Sequence, residues 1–205
     1  MTSLSKNMLL ASTMLGLFAI VTTTMVALVH DTTEQQIQDN KREYTLKQLH
    51  ELIPPQQHDN DLNEDKIQVS DPLLAPKQQT VTIYRARQQN QPVAAIIQCI
   101  APDGYSGKIV LLVAIKMDGQ VAGVRVTNHK ETPGLGDAIE RNKSDWITLF
   151  DGKSQQQPKQ ENWRVRKDGG EFDQITSATI TSRAVVNAVY KALTYFETNK
   201  ATLFN

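Results

Sequence analysis

From Met8 to Val29 the chain reads MLLASTMLGLFAIVTTTMVALV, without one charged side chain. A helix of about 20 residues rising ~1.5 Å each covers the ~30 Å hydrocarbon core of a bilayer, so this segment is long enough to cross a membrane once. The rival is a cleavable signal peptide, since Lys6 supplies a small positive region ahead of the run. Against cleavage, the run exceeds the ~7–15 residues of a signal core, and no small-x-small site ends it. Met25 with Ala27, and Ala27 with Val29, both fail that test. An uncleaved anchor over residues 8–29 is therefore expected. Lys6 precedes the span, whereas Asp31 and Glu34 follow it, with Lys41 and Arg42 further on. The positive-inside rule then predicts a cytoplasmic segment at 1–7 and everything after residue 30 outside.

The remainder is an ordinary polar chain whose composition mostly excludes. Across 205 residues, 22 Lys and Arg balance 22 Asp and Glu, and a net charge of zero is no electrostatic footprint for nucleic acid. The mean hydropathy of −0.40 averages two unlike parts, because every charged residue except Lys6 follows the span. The single cysteine, Cys99, cannot form an internal disulfide and is expected to be a buried, inert strand residue within VAAIIQCIA. Four scattered histidines (His30, His50, His58, His129) lack metal-site spacing, so no metal is assigned.

Residues 34–53 are rich in Glu, Gln, Lys, Arg and Leu until Pro54-Pro55, which predicts a polar membrane-proximal helix. Residues 58–79 carry turn formers and predict a long connection holding a short strand or helix at most, so that 30–79 is helix and linker. Four strand-like runs follow, at 80–87, 92–101, 108–117 and 120–129. Asp118-Gly119 is a hairpin signal between the last two, and the near-continuous apolar character of the central pair predicts strands buried on both faces. One or two short helices are expected within 134–150, with Trp146 and Phe150 turned inward, and a strand at 163–167. Val185, Val189, Ala192, Leu193 and Phe196 make one apolar stripe, predicting an amphipathic helix at 182–199. The predicted class is α+β: one transmembrane helix, then one extracytoplasmic domain with a mainly antiparallel sheet and flanking helices.

At the entrance to that last helix stands DQITSATITS, residues 173–182, with five hydroxyl side chains in seven residues. Helix capping accounts for one of them, because a Ser or Thr oxygen accepts from a first-turn amide. The same amides, with the positive end of the helix dipole, also suit phosphate, so a threonine hydroxyl there is placed to sit beside a phosphate or to be joined to one.

Asp173, Thr176, Ser177, Ala178 and Thr179 resemble the D-x-x-[ST]-G-A-[ST] signature on which flavin transferases attach FMN through a phosphodiester to the last Ser or Thr, here Thr179. Ser177 departs from the pattern, standing where glycine is usual. Gly104-Tyr105-Ser106-Gly107 and His129-Lys130-Glu131-Thr132-Pro133-Gly134-Leu135-Gly136 add to the likeness. Each loop alone is equally a turn whose Gly and Pro answer to backbone geometry. Together with the anchor and the length, these stretches are similar to the G subunit of the Rnf/Rsx ion-translocating electron transport complex almost end to end. The related C subunit of sodium-pumping NADH:quinone reductase is similar over less of the chain.

The resemblance implies an FMN-binding domain at 80–205 and covalent FMN on Thr179. It further implies that both loops approach the isoalloxazine ring, with Tyr105 stacking and His129 or Glu131 shaping its environment beside Gly107, Thr132, Gly134 and Leu135. It implies a bacterial inner-membrane protein with a periplasmic domain, a flavin transferase for maturation, and other membrane and redox subunits as partners, the flavin relaying electrons between them. The single span has no ionisable residue to serve as an ion site. Two alternatives stay open: an anchored binding or assembly module without flavin, whose hydroxyl cluster is a cap, and a free-standing flavin reductase. The absence of a nicotinamide fingerprint weighs against the second.

Overall fold

The structure, a computed structural model, describes residues 2–76 and 79–204. Lys77 and Gln78, near the end of the predicted linker, lie outside the described residues. The chain divides into two compact units, Met1–Thr45 and Leu46–Asn205.

Helix α1 runs unbroken over Thr2–Leu52. The predicted membrane and membrane-proximal helices are thus one element. No proline interrupts the sequence before Pro54, and the lone Gly16 costs only about 1 kcal/mol in a helix. Within α1, Lys6–Glu34 is long and apolar enough to cross a membrane. Its large side chains, Leu15 and Phe18 among them, are exposed all round, which suits lipid rather than a one-sided protein core. The hydroxyls of Thr13 and Thr22 donate to carbonyls three and four residues back, so they need no polar partner in an apolar medium.

The second unit is built on a five-stranded antiparallel meander: β1 (Lys66–Val69), β2 (Val81–Gln88), β3 (Gln91–Gly104), β4 (Gly107–Lys116) and β5 (Val121–Asn128), in spatial order β1-β2-β3-β4-β5. The four predicted strands are present, and β1 is added at the edge from within the connection. Two-residue periodicity sorts the side chains of β3 and β4 onto opposite faces. Ile97, Cys99, Leu111 and Val113 join the larger core, while Ala94, Ile96, Leu112 and Ala114 meet Leu49 and Leu52 from the end of α1, the following Ile53, and Leu62. The central strands are therefore covered on both sides, as their continuous apolar runs require. Cys99 is 1% exposed, and burial pushes its thiol well above the ordinary range, so it is no nucleophile.

Helix α2 (Thr179–Leu203) crosses the larger face, three residues earlier at its start than the apolar stripe alone predicted. Val185, Val189, Ala192, Leu193 and Phe196 are all fully buried. Within 134–150, where one or two short helices were expected, lie two short 3₁₀ turns, Gly136–Ile139 and Trp146–Phe150. Phe150 is buried and Trp146 half-buried, edge-on to it at 5.6 Å. The strand expected at 163–167 does not form. Trp163 and Val165 do alternate inward, but Val165 makes only an isolated bridge with Phe172, and a 3₁₀ turn at Arg166–Asp168 leads into Gly169 at φ 81°. Alternation here reflects two apolar anchors on a loop, not a ladder.

Candidate functional site

Three segments converge at the start of α2. The first is the β3–β4 hairpin, where Gly104 pairs with Gly107 and the two loop residues between them project. Gly107 sits at φ 121° with open space where a Cβ would be, so backbone conformation alone demands glycine there. Tyr105 is 68% exposed. The second segment, after β5, is gathered by the Thr132 carbonyl, which accepts the N–H groups of Leu135, Gly136 and Asp137. Gly134 makes the bend at φ 78°, leaving Leu135 exposed.

The third segment is the hydroxyl-rich approach to α2, and its five hydroxyls divide sharply. Thr181 and Ser182 are buried: Thr181 donates to Glu131 Oε2, and Ser182 donates to the Ala178 carbonyl while accepting the Ile175 N–H at 3.0 Å. Thr176, Ser177 and Thr179 have no side-chain hydrogen bond among the described residues. None of the five caps the helix, because the N-cap residue is Ala178, with no side-chain cap. Ser182 makes the first intrahelical bond, to Ala178, so the amides of Thr179, Ile180 and Thr181 lack acceptors within the helix.

Around this helix start lies a cavity of about 530 Å³, lined by Tyr105, Glu131, Thr132, Leu135, Gly136 and residues 177–181. That volume falls within the ~300–1,000 Å³ usual for small-molecule sites. The rim carries three exposed apolar side chains, Tyr105, Leu135 and Ile180; open amides and the unbonded Thr179 hydroxyl lie among the lining residues. A cofactor with a flat aromatic ring and a phosphate fits this division.

Of the residues singled out from sequence, the cavity brings together Tyr105, Glu131, Thr132, Leu135, Ser177, Ala178 and Thr179. Gly107, His129, Gly134, Asp173 and Thr176 stand outside its lining. The His129 Nδ1 accepts the Glu131 N–H at 3.0 Å, which leaves its proton on Nε2, 3.0 Å from Glu140 Oε1. Asp173 pairs with Arg166 at 3.1 Å, and its carbonyl accepts the Trp146 indole N–H. Ile180, Thr181 and Gly136 complete the lining without having been singled out. Their signal was present in the hydroxyl cluster and the glycine loop, but which residues faced inward depended on where α2 begins.

Ser177 occupies the left-handed region at φ 66°, so the glycine of the signature answers to a real conformational demand. Ser177→Val is expected to lower stability by about 1–2 kcal/mol, the order of the left-handed penalty. Ser177→Gly should raise it by no more than about 1 kcal/mol, since glycine's unfolded-state entropy offsets part of the gain. Urea midpoints check this, and an unaffected valine variant would remove the strain from the account.

Comparison with known proteins gives two family matches. The FMN-binding domain family matches residues 104–194, from the hairpin to the body of α2, and the RnfG N-terminal region family matches residues 1–52, the extent of α1. Proteins named as the G subunit of an ion-translocating oxidoreductase complex are similar over nearly the whole chain. The one from Shewanella loihica is 45% identical over 99% of this chain and 94% of its own. That from Pseudomonas aeruginosa is 48% identical over 97% and 92%, and that from Vibrio cholerae 44% over 100% and 96%. An apolar helix of spanning length, an antiparallel α+β domain and this end-to-end similarity make the chain a single-pass membrane protein with an FMN-binding domain, belonging to the RnfG family of ion-translocating oxidoreductase complexes.

Proposed function

We propose that the cavity at the start of α2 holds FMN joined by a phosphodiester to Thr179, and that the flavin relays electrons between neighbouring subunits of the complex. The observation that carries this reading is the position of Thr179: first residue of α2, on the cavity wall, its hydroxyl unengaged. The one negative charge left on a phosphodiester is favoured by the open first-turn amides and the helix dipole. Tyr105, Leu135 and Ile180 offer apolar surface to the ring. When bound, FMN supplies one- and two-electron redox chemistry that no side chain here can provide. The protein's own part would be to fix the point of attachment and to offer apolar side chains to the ring.

Maturation on this reading requires a flavin transferase acting on residues 173–179, with Thr179 Oγ as acceptor. Lys6 before the span and the acidic residues just after it support a cytoplasmic N-terminus and a periplasmic domain in a bacterial inner membrane, with 8–29 as the span and 80–205 as the flavin domain. Ions would be moved by other subunits.

Mass analysis of the protein, purified from a host that makes the transferase, tests the proposal. The peptide bearing Thr179 should gain the mass of FMN less one water and fluoresce in a denaturing gel. An unmodified peptide would instead favour an anchored module without flavin.

A further inference from the structure

We propose that Glu131 supplies the fixed charge that sets the reduction potential of the flavin in this cavity, an inference that rests on the FMN reading above. Glu131 is 4% exposed and forms part of the cavity wall. Burying a carboxylate is costly unless it is paired with a cation, yet among the described residues Glu131 has no ion pair. Its oxygens are met only by neutral donors, the Ser106 N–H at 2.9 Å on Oε1 and the Thr181 hydroxyl on Oε2. The nearby imidazole of His129 turns its unprotonated nitrogen to the Glu131 amide and so adds no positive charge there.

The surroundings are shaped to this carboxylate. A Cβ on Gly136 would come within 2.9 Å of Glu131 Cβ and 3.0 Å of Oε2, and one on Gly104 would meet first the Gly107 carbonyl oxygen across the hairpin and then Glu131 Oε1 at 2.8 Å. Both glycines sit in the two loops that the family resemblance implies to lie close to a ring. In the fold, Gly136 leaves room for Glu131, and Gly104 lets the hairpin close while clearing the same carboxylate. Three chain segments thus build a socket for one anion and leave it uncompensated on the wall of a cofactor cavity.

A negative charge fixed in a poorly screened site opposes the arrival of further negative charge. Electrons added to a ring in the cavity meet that opposition, so the carboxylate holds the potential down. Glu131→Gln keeps the shape and both hydrogen-bonding positions while removing the charge. Thr181→Val keeps the shape but withdraws one of the two neutral donors, so the charge acts more strongly.

The test is spectroelectrochemical titration of the full-length protein in detergent, with an electrode supplying the electrons and buffer the protons, after in-gel fluorescence has shown covalent flavin. Glu131→Gln should raise the potential by at least a tenfold change in the reduction equilibrium, about 30 mV for a two-electron couple. Thr181→Val should lower it. The Glu131→Gln shift should persist between about 0.1 and 1 M salt, where exposed charges are screened. Asp145→Asn, at a carboxylate 83% exposed, should move the equilibrium by less than about twofold. A loaded Glu131→Gln protein with an unchanged potential, or two variants shifting in the same direction, overturns the proposal while leaving the FMN reading intact. Absence of flavin from the unsubstituted protein overturns both. If Glu131→Gln does not load, Thr181→Val decides alone, and a potential that fails to fall counts against the charge.

Discussion

Thr179→Ala is expected to abolish covalent flavin completely while leaving the fold in place. The threonine is half-buried, its hydroxyl bonds nothing among the described residues, and it opens a helix in which alanine is the better former. The stability cost should therefore stay within about 0.5 kcal/mol, too little to confuse loss of the acceptor with loss of structure. Thr179→Ser retains an acceptor oxygen and should still be modified. Both outcomes are read by fluorescence in a denaturing gel and by the mass of the peptide spanning 173–182. Thr176 and Ser177 carry the other unengaged hydroxyls of the approach. Flavin that persists in Thr179→Ala and disappears in Thr176→Ala would move the acceptor to Thr176 and undo the assignment.

Phe150→Ala is expected to cost the most stability. The ring is fully buried and lies 5.0 Å from Phe172, 5.6 Å from Trp146 and 6.3 Å from Trp163, centroid to centroid. Removing a buried aromatic typically costs about 3–5 kcal/mol, a large share of the ~5–15 kcal/mol that holds a domain together. With ordinary denaturant sensitivity this lowers the urea midpoint by about 2 M. The readout is built in, because the chain's two tryptophans, Trp146 and Trp163, both belong to this cluster. Their fluorescence follows its opening directly. Phe150→Leu should keep more than half of the lost stability, and an alanine variant losing less than about 1 kcal/mol would show that the cluster is not a keystone. Because Trp146 also holds the Asp173 carbonyl, the alanine variant should load less flavin as well.

How much of this was legible in the sequence depended on the range of the forces involved. The four long strands and α2 were readable because local periodicity and burial coincide. Edge strand β1 could be read only as a short strand or helix somewhere in 58–79, since KIQV is short, half-polar and defined by pairing with β2. The alternation in WRVRK was real, but only the fold shows that no neighbouring strand receives it. The anchor and the membrane-proximal helix were each readable, and no proline between them separates them into two elements. At the site, the hydroxyl cluster at 176–182 was visible as a local string, and Ser177 could be flagged because glycine's conformational role is local. The socket of Glu131 was hidden: Gly104, Gly136, Thr181 and Ser106 come from three separate segments, and nothing short-range links them.

A cofactor joined to Thr179, as proposed, would be mechanically constrained. A threonine oxygen stands only two bonds from its Cα, and that Cα belongs to a helix whose next turns are locked into the sheet by Val185, Val186 and Val189. A cofactor attached there is no swinging arm. On the proposed reading its point of attachment could not travel relative to the domain, so any electron reaching or leaving it would cross gaps set by how whole subunits approach one another. Transfer rates should then respond to the spacing and motion of the domain as a body, not to flexibility at its own prosthetic group.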